Sequence, residues 1–290
     1  MKLSVLIPVY NRPVSVLLMN LESQAKRSDE KVEILCLDDG SVEFASENKQ
    51  KAEDLGIPYH RQENKGRAKS RNALAELARG KYLLFLDCDS GIPTEHFLQN
   101  YLSQLNEHPI IYGGRKYPSD KPKRSNRLHW KYGRKVESSP LEDRKKRPYN
   151  TFMSNNFTVA APLYKKYPMD EHLTKYGYED LLWALDMKSR NQRIEQIDNP
   201  VVHEDLCTTD VFLEKTKQAM DNLAFLVKKG KIEREATPLL RTYYFLKKWK
   251  LHLPVKFLIG LSLPLILMQL KSHNPSLLLF NLWKLSQYKG

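Results

Sequence analysis

The sequence LLFLDCDS, at residues 83–90, is an apolar run that stops at two carboxylates one residue apart. Ligands of open α/β sheets bind outside the carboxyl ends of the strands, so Asp87 and Asp89 are placed to hold a hard divalent cation. A cation held by two carboxylates keeps open positions that suit a diphosphate. The pattern therefore predicts a metal-dependent nucleotide-diphosphate site, although Asp and Ser also end strands in ordinary turns.

A second apolar run, VEILCL at residues 32–37, ends in the same way, because DDGS follows it at residues 38–41. Between the two runs, residues 63–74 place a glycine before a helix whose first turns carry several cations. Such a helix N-terminus attracts phosphate. The chain begins with a strand and a turn, residues 3–13, and Pro13 predicts the start of a helix. Three strand ends and one helix start thus converge on one edge of a predicted sheet.

These four segments, in this order and spacing, resemble the inverting family 2 glycosyltransferases. The resemblance covers residues 1–115. It implies a GT-A fold, which is an α/β, Rossmann-like, mostly parallel mixed sheet flanked by helices. It also implies inverting transfer from a UDP-sugar, with Mn²⁺ or Mg²⁺ as cofactor. The implied contacts with the nucleotide sugar come from six residues: Pro8, Tyr10, Asn11, Asp39, Arg71 and Asp87.

By this resemblance Asp39 accepts the N3–H of uracil, Arg71 faces the diphosphate, and Asp89 is the main metal ligand with Asp87 beside it. A carboxylate accepts from uracil or thymine, whereas cytosine presents an acceptor at that position and is repelled. His203 lies where many GT-A enzymes place a further metal ligand. Imidazole with carboxylate oxygens suits Mn²⁺ as well as Mg²⁺. A surface histidine without a metal is the open alternative.

Residues 176–183, YGYEDLLW, place two acids at the start of a predicted helix. By resemblance Asp180 is the catalytic base and Glu179 orients the acceptor. A sugar hydroxyl is a poor nucleophile until its proton has a destination, so the chemistry requires such a base. The alternative is structural, since the helix dipole favours acids in a first turn.

Residues 113–150 contain four prolines, many cations and few aliphatic residues. This composition predicts a long loop or irregular excursion over the surface and not a packed sheet. As an acceptor-binding segment, the loop offers Trp130 and Tyr132 as stacking platforms for sugar. A solvated basic loop is the alternative.

Residues 151–160 lead from a polar segment into a short strand. In the family this strand lines the acceptor site, although asparagines before a strand are also common in turns. The candidates for contact with donor or acceptor hydroxyls are Ser154, Asn155 and Asn156.

The last third of the chain differs in kind. Residues 210–229 predict an amphipathic helix, and residues 257–270 carry no charge. Those fourteen residues fall short of the roughly 20 that cross a bilayer, and Pro264 would kink a helix. With flanking lysines and the apolar residues 277–285, they predict an interfacial helical pair on the inner membrane surface. The alternative is a helical appendage packed on the catalytic domain or on a second subunit.

A chain of 290 residues with 41% hydrophobic residues is long enough for one large α/β domain with an appendage. We predict a catalytic GT-A domain over residues 1–206 and a helical, membrane-associating region over residues 207–290. The predicted parts of the catalytic domain are a nucleotide-sugar half at residues 1–115, the basic loop at residues 113–150 and an acceptor half at residues 151–206.

Composition narrows the cellular setting. Three cysteines, odd in number and far apart, favour a reducing compartment and exclude a cysteine-rich zinc site or a disulfide framework. The first apolar run of the chain is itself the first strand, so we expect no signal peptide. We therefore expect the catalytic part to lie in the cytoplasm and to associate peripherally with the inner face of the cell membrane. The net charge of +13 is dispersed and no nucleic-acid motif occurs, which argues against a nucleic-acid partner.

The predicted acceptor is a hydroxyl of a glycan or a lipid-linked saccharide, in the synthesis of cell-surface polysaccharide or glycolipid. Two other classes are weighed against this prediction. A nucleotidyltransferase would carry a glycine-rich, arginine-containing loop after the first strand, where residues 8–11 read PVYN. A non-catalytic nucleotide- or carbohydrate-binding scaffold at the membrane stays open.

Overall fold

The computed structural model describes residues 1–173 and 177–290 of the chain. The strands are β1 (Leu3–Val9), β2 (Val32–Asp38), β3 (Tyr59–Arg61), β4 (Tyr82–Leu86), β5 (Ser90–Gly91), β6 (Ile110–Tyr112), β7 (Arg115–Lys116), β8 (Asn156–Ala160), β9 (Glu195–Gln196) and β10 (Val201–His203). The helices are α1 (Ser15–Lys26), α2 (Ala45–Asp54), α3 (Arg67–Leu77), α4 (Phe97–Leu102), α5 (Arg127–Tyr132), α6 (Leu141–Lys146), α7 (Ala161–Lys166), α8 (Glu179–Ser189), α9 (Thr209–Lys228), α10 (Pro238–Lys248), α11 (His252–Leu261), α12 (Leu263–Leu270) and α13 (Leu277–Gln287).

Seven strands form the main sheet, in the order β3-β2-β1-β4-β8-β6-β9. The strands β3, β2, β1 and β4 are parallel, and β8 runs antiparallel between β4 and β6. Val9 of β1 pairs with Asp38 of β2, and Leu6 of β1 pairs with Phe85 of β4. The segments that follow β1, β2 and β4 therefore leave the sheet at one edge, as the sequence predicts.

Helices cover both faces of the main sheet, as its near-continuous apolar strands predict. Leu18 of α1 and Phe97 of α4 belong to the core on one face, and Leu74 of α3 and Trp183 of α8 belong to the core on the other. Helix α1 begins two residues after Pro13. This packing makes the sheet edge a rigid support for the loops that leave it.

A second, three-stranded sheet has the order β5-β10-β7. His203 of β10 pairs with Ser90 of β5 in an antiparallel register, and Val201 pairs with Arg115 of β7 in a parallel register. Strand β5 begins directly after Asp89. These short pairings bring three segments that are distant in the sequence to the same place.

The prediction of an irregular loop over residues 113–150 is wrong. This segment contains β7, α5 and α6, with a 3-10 helix at Arg124–Asn126 and a π-helix at Gly133–Glu137. Its cations donate to the turn between α12 and α13: Arg124 to Lys271 O (2.8 Å), Arg127 to His273 O (2.7 Å) and Lys131 to Pro275 O (2.8 Å). The composition misleads because the segment is ordered by contacts with distant residues, polar ones such as these and the apolar packing of Leu128 against the carboxyl-terminal helices, and not by a core of its own.

The carboxyl-terminal helices match the predicted positions closely. Helix α9 begins one residue before the predicted start, with Thr208 as its N-cap. Helix α13 packs Phe280 and Trp283 against Ile266 and Leu270 of α12 in one apolar cluster.

Among residues 1–173 and 177–290, no single helix has the length and apolar character to cross a membrane. Helices α11 and α12 together have the length and apolar composition of a membrane span, but the pair is bent by 67° at its break.

Candidate functional site

Asp39 follows β2 at the edge of the sheet, and its side chain is held firmly. Oδ1 accepts from Gln62 Nε2 (2.7 Å) and from Lys65 N (2.9 Å), while Oδ2 accepts from Gly66 N (2.8 Å). Gly66 has a positive φ of 88°, which glycine adopts readily, and directly precedes α3. A carboxylate offers about four lone-pair positions, so one position on Oδ2 is left for a further donor.

Asn11 joins the end of β1 to the segment after β2. Its N–H donates to Ser41 Oγ (2.9 Å), and its Oδ1 accepts from Val42 N (2.8 Å) and Glu43 N (3.1 Å). The predicted neighbour Tyr10 is 50% exposed at the same edge. Asn11 thus uses its side-chain oxygen within the protein, whereas the ring of Tyr10 is open to a ligand.

Asp87 lies between two guanidinium groups. Arg71 Nη2 donates to Asp87 Oδ1 (2.5 Å), and Arg115 Nη2 lies 3.7 Å from Asp87 Oδ2. Arg71 is 2% exposed, yet its Nε and Nη1 have no hydrogen-bond partner, and neither does the buried Nε of Arg115. Buried donors are almost always paired in folded proteins, so these N–H groups fit an anionic ligand at the sheet edge.

Asp89 lies beside His203, because β5 and β10 pair directly after Asp89. His203 Nδ1 lies 3.3 Å from Asp89 Oδ2, and Asp89 Oδ1 is buried without a partner. Burial by itself would raise the pKa of Asp89, but the contact with His203 and the charges of Arg115 and Arg67 lower it below its usual range. A carboxylate and an imidazole with unused buried atoms fit a divalent cation such as Mn²⁺.

Asp87 does not complete that pair as a third ligand in this conformation. In the described part of the chain, no group of three or more His, Cys, Asp or Glu side chains is close enough to hold a metal ion. Asp87 instead faces the arginines. The three-ligand set of Asp87, Asp89 and His203 therefore stays a prediction.

Glu179 and Asp180 open α8 after an unusual backbone turn. Gly177 and Tyr178 both have positive φ, 94° and 69°. A bulky residue in this region is strained, and such strain is concentrated at functional sites. Asp180 Oδ2 accepts from Ser154 N (3.3 Å), which ties α8 to the segment before β8. Tyr176, the first residue of the YGYEDLLW motif, lies outside the described residues.

Glu179 is held as an unpaired acid. Its Oε2 is buried and has no hydrogen-bond partner. Burial, together with the neighbouring charge of Asp180, raises the pKa of Glu179 to about 7. The two acids thus have different environments, and Glu179 carries a proton over much of the neutral range.

Residues 4–209 match the model of the family described as Glycosyl transferase family 2. The chain belongs to this family. The predicted resemblance is therefore confirmed. It is 32% identical over 120 residues to a poly(ribitol-phosphate) beta-glucosyltransferase of Bacillus spizizenii, a match that covers 39% of this chain and 19% of that protein. The chain thus spans about a fifth of that relative's length.

Two solved structures share the fold of this glycosyltransferase. The mannosyltransferase PcManGT from Pyrobaculum calidifontis, in complex with GDP-Man and Mn²⁺, has a TM-score of 0.61 and 17% identity, over 98% of this chain and 86% of its own. The glucosyl-3-phosphoglycerate synthase of Mycobacterium tuberculosis, in complex with Mn²⁺, UDP and glucosyl-3-phosphoglycerate, has a TM-score of 0.51 and 14% identity, over 81% of both chains. The predicted GT-A fold is confirmed.

The two asparagines at β8 play different parts in the glycosyltransferase. Asn156 is fully buried, and its Nδ2 donates to Gly114 O (2.9 Å) and Asn199 O (2.8 Å). Its amide therefore joins β8 to the segments that follow β6 and β9. Asn155 accepts from Asp87 N through its backbone oxygen (3.2 Å), while its buried Oδ1 has no partner. Asn155 is the one whose amide is available to a ligand.

The aromatic residues of α5 are engaged with the protein. Trp130 Nε1 donates to Pro118 O (2.8 Å), and the guanidinium of Arg134 lies 5.0 Å from the centroid of the Trp130 ring. Tyr132 contacts Phe280 of α13 edge to face, with centroids 5.3 Å apart. The proposed stacking of sugar on Trp130 or Tyr132 stays a prediction, and their observed contacts support the structure of this segment.

Arg115 and Glu137 are the site residues that the sequence reasoning missed. Arg115 Nη1 contacts Glu137 Oε2 (3.1 Å), and Tyr117 donates to the same oxygen. Burial would raise the pKa of Glu137, but Arg115 and Tyr117 lower it below its ordinary value. Arg115 follows β6 at the same sheet edge as Asp87, so a cation after a strand end was the available signal. Glu137 ends the π-helix, and the sequence contains no comparable signal for it.

Replacement of Arg115 by Met is expected to destabilise the glycosyltransferase by roughly 3–5 kcal/mol, because it leaves Glu137 buried without a cation. Urea unfolding measures the change. The double variant R115M/E137Q should regain much of the loss, and Arg147→Met, at an exposed position of the same segment, should change little. A double variant no more stable than R115M would contradict the proposed cause.

Replacement of Glu179 by Gln is expected to stabilise the protein at high pH. The folded chain holds this proton up to about pH 7, whereas an unfolded glutamate releases it near 4.5. Stability contributed by this group therefore falls as pH rises from about 4.5 to 7. The free energy of unfolding of E179Q should exceed that of the native protein by about 3 kcal/mol at pH 8 and by little at pH 4.5, as judged from urea midpoints. Equal effects of E179Q and the exposed control Glu142→Gln at pH 8 would contradict this prediction.

Proposed function

We propose that this glycosyltransferase moves a sugar from a UDP-sugar to a hydroxyl of a glycan or lipid-linked saccharide, with inversion and with a divalent metal. The observation that carries the proposal is the set of buried, unpaired polar atoms on Arg71, Arg115 and Asp89 at one sheet edge, with His203 beside Asp89. Two guanidinium groups beside a carboxylate and an imidazole match a metal-bound diphosphate in charge and in hydrogen-bonding capacity.

The choice of uridine rests on Asp39. Proteins that share this fold have been solved with UDP and with GDP-Man, so the fold is compatible with either nucleotide. The carboxylate of Asp39 repels cytosine, whose N3 is an acceptor. It has one unused lone-pair position, which suits the single N3–H of uracil better than the adjacent N1–H and N2–H donors of guanine. Uridine is therefore the preferred base.

The proposed reaction is a single displacement. Asp180 takes the proton of the acceptor hydroxyl, and the oxygen attacks the anomeric carbon from the face opposite the nucleotide, so the configuration inverts. Arg71 and Arg115 offer their free N–H groups to the departing diphosphate. Protonated Glu179 donates to the acceptor and orients it. Mn²⁺ or Mg²⁺, held by Asp89 with His203 and Asp87, would supply Lewis-acid stabilisation of the leaving group.

We also propose that the acceptor belongs to cell-surface polysaccharide or glycolipid synthesis, at the cytoplasmic face of the cell membrane. A relative whose name gives poly(ribitol-phosphate) as its acceptor supports a polymeric, phosphate-containing class of substrate. The apolar carboxyl-terminal helices support a lipid-linked one.

The test is a thermal-shift measurement on the full chain with UDP, dTDP, GDP and CDP, each with and without Mn²⁺. A ligand that binds only the folded state raises Tm. We expect the largest shift with UDP, dependent on Mn²⁺, and none with CDP. A larger shift with GDP than with UDP would show that the donor is a GDP-sugar and not a UDP-sugar. No shift with any nucleotide would overturn the proposal.

A further inference from the structure

Large apolar side chains are exposed on one continuous part of the carboxyl-terminal region. Six of them, which define the apolar face, are 62–67% exposed: Trp249, Leu253, Phe257, Leu261, Leu265 and Met268. They lie on α11, on α12 and at the end of α10. Contiguous exposed apolar surface of this kind marks an interaction site, since soluble proteins otherwise expose such residues singly.

The opposite side of the same helices is already packed. Ile259 of α11 and Ile266 and Leu270 of α12 are at most 6% exposed and lie in one cluster with Phe280 and Trp283. The two helices are thus held in place by α13, and they are apolar on both sides. A helix facing water would carry polar residues on its outer side, so the outer side of α11 and α12 is suited to an apolar surrounding.

The segment that bears the apolar face is basic, although two of its lysines pair with aspartates of α9. Residues 236–290 contain eight Lys and Arg residues and no Asp or Glu. Lys247, Lys248 and Lys250 are exposed at the end of α10, next to Trp249 and Leu253. Clustered lysines beside an amphipathic helix are typical of segments that bind anionic lipid headgroups.

We propose that the apolar face docks in the plane of an anionic lipid bilayer. The ten residues of α11 span about 15 Å and the eight of α12 about 12 Å, whereas the hydrocarbon core is about 30 Å thick. Neither helix is long enough to cross alone, and the 67° bend between them means that together they do not form one straight helix. This inference rests on the proposed function, which places the acceptor at a membrane. It adds the residues that contact lipid.

A second copy of the chain is the other candidate for covering this face. A symmetric dimer through the apolar face would bring two copies of this acid-free segment together, each with three exposed lysines beside the face. No carboxylate in either segment would offset that repulsion. The charge therefore favours phosphate-bearing lipid over self-association.

Flotation of the full chain with vesicles tests the inference. We expect binding to phosphatidylcholine vesicles that contain a quarter phosphatidylglycerol, and much weaker binding to pure phosphatidylcholine. F257E/L261E should lose at least tenfold in affinity. The matched control V16E/M19E changes two exposed apolar residues of α1 and should bind normally. K247Q/K248Q/K250Q should lose on the order of 100-fold on anionic vesicles at low salt, since each lysine contributes about fivefold.

Three outcomes overturn the inference: no binding of the native chain to either vesicle, normal binding by F257E/L261E, or a dimer abolished by F257E/L261E without vesicle binding. The thermal shift with UDP and Mn²⁺ is measured on the same variants. Docking that fails while the shift persists defeats only the membrane inference. Docking that persists without any nucleotide shift defeats only the proposed function.

Discussion

Replacement of Asp180 by Asn should lower sugar transfer by about 10²–10⁴-fold while leaving nucleotide binding intact. The amide keeps the size of the side chain and its contact with Ser154 N, but it cannot take the proton from the hydroxyl of the acceptor substrate. Transfer is measured by UDP release in the presence of acceptor, and binding by the thermal shift with UDP.

The matched control is Asp186→Asn. Asp186 lies on the same helix, α8, where it pairs with Arg190 at the surface. Its loss should leave transfer within a factor of two or so, because exposed ion pairs contribute little. Transfer by D180N at the native rate would remove Asp180 from the mechanism and direct attention to Glu179.

Replacement of Asp89 by Asn is expected to remove both transfer and the metal dependence of UDP binding. Asp89 lies 3.3 Å from His203 and has a buried oxygen without a partner, so it is the best-placed carboxylate for a cation. A metal contributes several kcal/mol to stabilising the leaving group, so transfer should fall by at least about 10³-fold. Chelation of metal from the native protein should have the same effect.

The control for this change is Asp54→Asn, at an exposed position at the end of α2. It should retain a Mn²⁺-dependent shift with UDP. A D89N variant with an unchanged Mn²⁺-dependent shift would show that the cation is held elsewhere, and Asp87 would be the next residue to test. Both thermal-shift outcomes can be measured without an identified acceptor substrate.

Much of the main sheet was predictable because its signals are local. Two apolar runs, one followed by Asp38 and Asp39 and the other by Asp87, predict both the strands and the carboxylates at the strand ends. The glycine before α3 and the acids at the start of α8 mark helix starts within a few residues. A parallel sheet then brings successive strand ends to one edge, so several site residues follow without knowledge of the packing.

The segment at residues 113–150 could not be read in this way. Its order comes from contacts such as Arg127 with His273 O and Asn150 with Ala236 O, which join positions more than 80 residues apart. A composition rich in proline and cations describes only the local chain. It contains no information on which distant carbonyl groups those cations will reach.

The sequence by itself therefore determined the family, the GT-A fold, and the identity of the strand-end acids, since each depends on residues that are close together in the chain. Only the tertiary structure decided that Asp89 lies beside His203 while Asp87 faces Arg71 and Arg115. It also decided which side of α11 and α12 is covered by protein. The physical reason is that two-residue strands such as β5, β7 and β10 have no periodic pattern, and their pairing is set by the packing of the whole domain.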